Sequence, residues 1–202
     1  MKVTLKEYIK RNLNVPNTLT LIRMLLIPIY LILFSNGIKY PALIVFLTAS
    51  FTDLLDGMIA RRYHLITNLG KLMDPLADKL MVLTVMFSMA IGNAAIPKVV
   101  PWAAVVILLG KEFVMMIGGL IMLRRNIVVY SHFIGKAAHV LFIMGLTATF
   151  FHEWLAKKCV GWPMTPDLML LWIAVACTLC ALVFYVVDSV HKALHPKTDA
   201  NA

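Results

Sequence analysis

Charge is scarce in this chain of 202 residues: only 14% are Asp, Glu, Lys or Arg, while 61% are hydrophobic. Soluble domains carry roughly a quarter charged residues, so the composition excludes an ordinary water-exposed globule and makes a bilayer the expected solvent. Acids are scarcer than bases, 10 against 19. The bases cluster in particular loops between apolar stretches, which argues for membrane orientation and against a nucleic-acid partner. Cysteine is rare too. Cys177 and Cys180 lie inside an apolar stretch with no His or acid nearby to complete a metal site, and read as packing residues. Low-complexity linkers and clear repeats are missing, so nothing divides the chain into separate soluble domains.

What is present is a series of apolar runs. Crossing the hydrocarbon core takes roughly 20 apolar residues in a helix, and six runs of about that length stand between charged or turn-rich breaks. They extend from Asn17 to Phe34, Pro41 to Ala60, Gly70 to Ile91, Val99 to Leu123, Ser131 to Phe151 and Leu168 to Val187. The expected fold class is therefore all-α, a polytopic membrane protein with six transmembrane helices. Lys2, Lys6, Lys10, Arg11, Arg61, Arg62, Lys71, Arg124, Arg125, Lys192 and Lys197 fall on one side of these spans, against Lys39, Lys98, Lys157 and Lys158 on the other. The positive-inside rule then puts both termini in the cytoplasm. A basic start before an apolar run also resembles a secretory signal, but no small-residue cleavage site follows, so the first span reads as retained.

Ahead of that span, Leu5, Ile9 and Leu13 recur every four residues beside Lys2, Lys6 and Lys10, up to Pro16. Residues 1–16 read as a short interfacial amphipathic helix on anionic membrane lipids, with a disordered basic tail as the alternative. Residues 17–190 form the membrane domain and 191–202 a polar tail.

Four aspartates break the apolar pattern within the segment FTDLLDGMIARRYHLITNLGKLMDPLADKL. An ionisable group inside a span costs at least ~2.5 kcal/mol on insertion scales and marks a polar cavity with a function. Asp53, Asp56, Gly57, Ala60 and Arg61 share one stripe of the second span at helical spacing, and Gly70, Asp74, Ala77 and Asp78 share one on the third. Each stripe sets carboxylates beside residues too small to fill the neighbouring volume. Four carboxylates so close cannot all stay ionised without counter-charge. A divalent cation supplies it, and all-oxygen ligation points to a hard ion, Mg²⁺ or Mn²⁺, with enough acids for two ions. The bland reading, ion pairs with Arg61, Arg62, Lys71 and Lys79 in a solvated hairpin, leaves the small residues on the acid stripes without a reason. A divalent-cation transporter is the alternative from another class. It calls for carboxylates near the midplane on broken helices, whereas these cluster at the cytoplasmic edge.

The eight positions Asp53, Asp56, Gly57, Ala60, Arg61, Gly70, Asp74 and Asp78 match D-x2-D-G-x2-A-R-x8-G-x3-D-x3-D, the pattern of the CDP-alcohol phosphotransferase family, which this chain resembles. The first span, NVPNTLTLIRMLLIP, is similar to the PN-x-LT-x2-R start of bacterial phosphatidylglycerophosphate synthases. The resemblance implies metal ligation by Asp53, Asp56, Asp74 and Asp78, with Asp78 also the base that takes the acceptor hydroxyl proton. It implies CDP-diacylglycerol as donor and a homodimer as the assembly. It also brings Asn17, Thr20 and Thr67 to the nucleotide lipid, beside Gly57, Ala60, Arg61 and Gly70, although Asn17 serves equally as a helix cap. Small Gly57 and Ala60 let the nucleotide approach the backbone, and Arg61 suits a forked diphosphate contact.

The acceptor alcohol is less clearly written. A phosphorylated acceptor needs further cations, and Lys111 in the fourth span and Lys136 in the fifth are the candidates, with His132 and His139 on the Lys136 face. Lys111 reads alternatively as a structural ion pair with another span, and the histidines as packing residues. The fourth span reads GKEFVMMIGGL, with Lys111 at the family's first basic position and Gly119 where a second Arg is typical. The fifth has Gly135, Lys136, Ala137, Ala138 and His139 in place of GK-x-K-T. The expected acceptor is sn-glycerol 3-phosphate, with phosphatidylglycerol or inositol phosphate as alternatives for the same chemistry.

Overall fold

The computed structural model describes residues 15–62, 68–124 and 133–194. Among them there are seven helices and no strand: α1 (Val15–Ser35), α2 (Lys39–Arg62), α3 (Asn68–Ile91), α4 (Trp102–Arg124), α5 (Phe133–Thr149), α6 (His152–Lys158) and α7 (Pro166–Leu194). The interfacial helix expected over residues 1–16 falls almost wholly outside the described residues. The chain divides into two compact units, Met1–Val99 and Val100–Ala202.

In the first unit, α1 packs against both α2 and α3. Pro16 is tolerated in the first turn of α1, where its missing N–H is not needed. The helix ends in a Schellman turn: the Ile38 N–H donates to the Leu33 carbonyl at 2.9 Å, and Gly37 adopts φ 75°. Glycine is required there twice over, because a Cβ would also lie 2.7 Å from the Cβ of Ala95. Asn93 ties the turn after α3 to the end of α1. Its amide donates to the Phe34 carbonyl, and its carbonyl accepts from the N–H groups of Ala95 and Ile96 at 2.8 and 2.7 Å. Between these helices Tyr30 is fully buried, stacks on Phe34 with ring centres 5.8 Å apart, and shares a 2.9 Å hydrogen bond with Ser88. The hydroxyls of Thr48, Ser50, Thr52 and Thr84 bond back to carbonyls of their own helices, which satisfies them without water.

In the second unit, α7 is the common partner of α4, α5 and α6. α5 comes close to α7 at Gly145, where a Cβ would stand 3.2 Å from the Leu171 Cα. Phe142, Leu146, Leu171 and Ala174 are buried in these two helices. On α4, a Cβ at Gly118 would meet Tyr185 of α7 at 3.5 Å, and one at Gly119 would meet its hydroxyl at 3.8 Å, so this ring fills the space the two glycines leave. Gly110 opens onto free space.

Among the described residues, three helices are long and apolar enough to cross a membrane, over Asn17–Ser35, Trp102–Met122 and Pro166–His191. They expose large apolar side chains such as Leu25, Ile32, Val106 and Val183, a surface suited to lipid. Of the other expected spans, α2 and α3 have 24 residues each, enough for ~36 Å at the α-helical rise, but both carry acids and bases. The apolar part of α5 is shorter, Ala137–Thr149. The fourth span starts at Trp102 and not at Val99 because Pro101 disfavours the helical conformation in the residue before it, and its carbonyl accepts from the Ala104 N–H at 3.0 Å. α6, in the connection between the fifth and sixth expected spans, is a helix that the apolar runs do not reveal.

Candidate active site

The first unit brings three charged side chains together from three helices. α1 turns Thr20 and Arg23, three residues apart, onto one buried face, each with 1% of its surface exposed. Arg23 reaches α2, where its Nη1 lies 2.8 Å from Asp53 Oδ1. Asp78 stands half-buried on α3, next to fully buried Ala77. Carboxylate oxygens of Asp53 and Asp78 come within 4.8 Å of each other. Two oxygens bound to one cation at roughly 2.0–2.6 Å are at most about 4–5 Å apart, so this pair fits a single hard divalent ion, and its donors are all oxygen.

Arg23 is the R of the PN-x-LT-x2-R start of the first span, a residue to which the sequence assigns no role. The bland reading had paired the acids with Arg61, Arg62, Lys71 and Lys79. Among the described residues a countercharge reaches Asp53 from α1, while the side chains of Arg61, Arg62 and Lys71 lie outside them. A lone arginine three residues after Thr20 in an apolar run was the available signal, since such a cation is costly in a bilayer unless it meets an acid. The guanidinium lies against Asp53 and holds that side chain from α1. A salt bridge this buried is set by geometry, because removing either partner strands the other.

Asp56, Gly57, Ala60 and Arg61 follow Asp53 within α2, and Gly70 and Asp74 precede Asp78 within α3. Their side chains lie outside the described residues, as does the whole of Thr67 and of His132. Asn17 is half-buried in the first turns of α1.

The expected acceptor residues belong to the second unit. Lys111 Nζ lies 2.8 Å from Glu112 Oε1, with both side chains mostly buried. It is thus ion-paired, but with its own neighbour and not with another span: the two Cα–Cβ bonds diverge by about 100°, and the long lysine chain bends back to close the gap. Lys136 is on α5 with its side chain outside the described residues, and His139 is half-buried on the same helix. Cys177 and Cys180 are free thiols on α7.

A family model described as CDP-alcohol phosphatidyltransferase matches residues 13–186. The chain belongs to that family. Over 181 residues it is 31% identical to a CDP-diacylglycerol–glycerol-3-phosphate 3-phosphatidyltransferase of Bacillus subtilis, which takes in 82% of this chain and 90% of the relative. A Mycobacterium tuberculosis protein named as a probable phosphatidylglycerophosphate synthase is 32% identical over 146 residues, 66% of this chain and 68% of that one. A Rickettsia typhi protein with the same name as the Bacillus one is 49% identical over 73 residues, 34% of this chain and 40% of the relative. As a CDP-alcohol phosphatidyltransferase the chain is an enzyme that transfers a substituted phosphate group, and its apolar helices make it a multi-pass membrane protein.

Proposed function

We propose that this enzyme makes phosphatidylglycerophosphate, transferring the phosphatidyl group of CDP-diacylglycerol to sn-glycerol 3-phosphate with release of CMP. The approach of Asp53 to Asp78 supports the chemistry. The names of relatives that share most of their length with this chain support the acceptor. Asp53, Asp56, Asp74 and Asp78 hold one or two Mg²⁺ or Mn²⁺ ions, with Arg23 fixing Asp53 from α1. Bound there, the metal would neutralise the diphosphate and the charge that develops on CMP.

Asn17, Thr20, Gly57, Ala60, Arg61, Thr67 and Gly70 receive the CDP-lipid, whose acyl chains remain in the bilayer. The acceptor hydroxyl oxygen attacks the phosphorus that bears diacylglycerol, its proton passes to Asp78, and the bond from that phosphorus to the CMP oxygen breaks. Lys111, Lys136 and His139 receive the acceptor phosphate. For Lys111 this means giving up part of its contact with Glu112.

The site faces the cytoplasm of a six-span cell-membrane protein with both termini inside, a reading supported by the unequal distribution of Lys and Arg. Residues 1–16 rest on anionic lipid. The enzyme acts as a homodimer, which crosslinking in native membranes tests.

The deciding assay supplies purified protein with CDP-diacylglycerol and Mg²⁺ or Mn²⁺, and compares glycerol 3-phosphate, phosphatidylglycerol, inositol phosphate and serine by CMP release. Release with glycerol 3-phosphate is expected. Release with another alcohol and none with glycerol 3-phosphate overturns the acceptor and leaves the chemistry standing.

A further inference from the structure

α6 is a helix with little to hold it. It has seven residues, none of them buried, and no side chain caps its first turn. Helices shorter than about 12–15 residues are marginal in water unless packing supports them. Contacts of its side chains help to steady this one. His152 Nδ1 lies 2.8 Å from Asp167 Oδ2, whose side chain is fully buried in the first turn of α7. Lys158 Nζ sits 4.3 Å from the centre of the Trp154 ring. The first contact ties the start of α6 to α7, and the second covers one face of one indole.

The apolar side chains around α6 remain uncovered. Val160 is 84% exposed, Trp162 60% and Trp154 57%, with Phe151 and Met164 exposed beside them. Such a cluster is out of place on a surface facing water. Its position in the chain indicates what covers it. The membrane-crossing stretch of α7 starts at Pro166, directly after this segment, so residues 151–164 lie where the chain enters the hydrocarbon. Tryptophan is suited to that boundary, with an apolar ring and a polar N–H. Lysine is as well, with its stem on apolar surface and its ammonium at phosphate depth. Lys157 and Lys158 are one helical turn from Trp154 and carry the charge that complements anionic headgroups.

We propose that residues 151–164 are an interfacial anchor, lying in the headgroup zone of the leaflet at which α7 begins. Phe151, Trp154, Val160, Trp162 and Met164 face the acyl boundary, and Lys157 and Lys158 contact the phosphates of anionic phospholipid. The His152–Asp167 contact sets the angle at which this segment meets the bilayer. The anchor requires α7 to cross the membrane but does not depend on which alcohol the enzyme uses.

The test uses full-length chains that keep one tryptophan, Trp154, Trp162 or Trp172, with the others changed to Phe, in vesicles of phosphatidylcholine with or without phosphatidylglycerol. CMP release checks that each variant is folded. Trp154 and Trp162 are expected to show blue-shifted emission, loss of quenching by aqueous iodide, and stronger quenching by bromines near the ester end of the acyl chain than by bromines near its tip. Trp172, two turns inside α7, is expected to prefer the deeper bromines. Full iodide quenching of Trp154 and Trp162 overturns the anchor. So does protection from both iodide and bromolipid, which marks cover by protein, and so does absence of bromolipid quenching at Trp172. Lys157→Gln with Lys158→Gln is expected to abolish the gain in shallow quenching that phosphatidylglycerol brings, and persistence of that gain overturns the contact with anionic lipid. Should the multiply substituted chains not fold, the unaltered protein is labelled with a phospholipid bearing a photoactivatable headgroup. Label in residues 151–164 supports the anchor, and label confined to other segments overturns it.

Discussion

The two compact units pair a buried Arg and a mostly buried Lys differently. In the first, Arg23 and Asp53 come from separate helices and meet at 2.8 Å. In the second, Lys111 pairs with the adjacent Glu112, also at 2.8 Å. A pair between helices constrains how those helices are set against each other, which the contact of Lys111 with its own neighbour does not do. The first arrangement can therefore hold a carboxylate at a defined place near Asp78, which a metal and diphosphate site requires. The second sets a cation beside its own neighbour in one helix, and close approaches at Gly145 and at Gly118 against Tyr185 bring the helices together.

The difference can be broken most severely at the carboxylates. Chelation of divalent metal is expected to stop CMP release completely, with recovery on adding Mg²⁺ or Mn²⁺. Full activity in the chelated enzyme would rule out the metal reading of Asp53 and Asp78. Asp78→Asn should lower turnover by about 10²–10⁴-fold, the usual contribution of a positioned base, while binding of the CDP-lipid partly survives. Wild-type turnover in that variant would remove Asp78 from the role of base.

Arg23→Met addresses stability directly. Stranding one member of a buried pair costs about 3–5 kcal/mol, to be read as a lowered denaturation midpoint in detergent micelles. Adding Asp53→Asn to Arg23→Met should recover part of that loss, although the double variant stays inactive. If Arg23→Met proves no worse than Lys111→Met, the contrast between the units disappears.

Smaller effects are expected in the second unit. Gly145→Val forces two methyl groups toward the Leu171 backbone and should cost about 1–3 kcal/mol, the range of overpacking, without abolishing activity. Replacing Lys111 and Glu112 together, by Met and Gln, should change stability by about 1 kcal/mol or less, since exchanging both partners of a pair for neutral groups is often close to neutral. The same variant sharpens the acceptor assignment. A raised KM for glycerol 3-phosphate supports contact between Lys111 and the acceptor, and an unchanged KM argues against it.

Much of this protein was written in residue order. The apolar runs indicated helices, and the structure places a helix over each of the six, with ends moved by a few residues where Pro101 or the Gly37 turn intervened. The Asp53 to Asp78 spacing carried the family, because eight positions at fixed helical intervals are a local pattern and local patterns survive without knowledge of packing. α6 escaped notice because seven residues are too few to show a period. The contact of Lys111 with Glu112 is not legible in the sequence because helical spacing describes the direction of the Cβ, whereas a flexible four-carbon stem decides where the charge ends up.

The sequence by itself thus determined the apolar helices, the polar stripes on two of them and the membership of the family, all of which follow from residue type at helical intervals. Only the tertiary structure decided that Arg23 of α1 holds Asp53, that Asp53 and Asp78 approach each other from α2 and α3, and that α6 is tied to α7 through His152 and Asp167. These are meetings between residues far apart in the chain. They depend on how each helix is rotated and offset against its partners, which the spacing along a single helix does not specify.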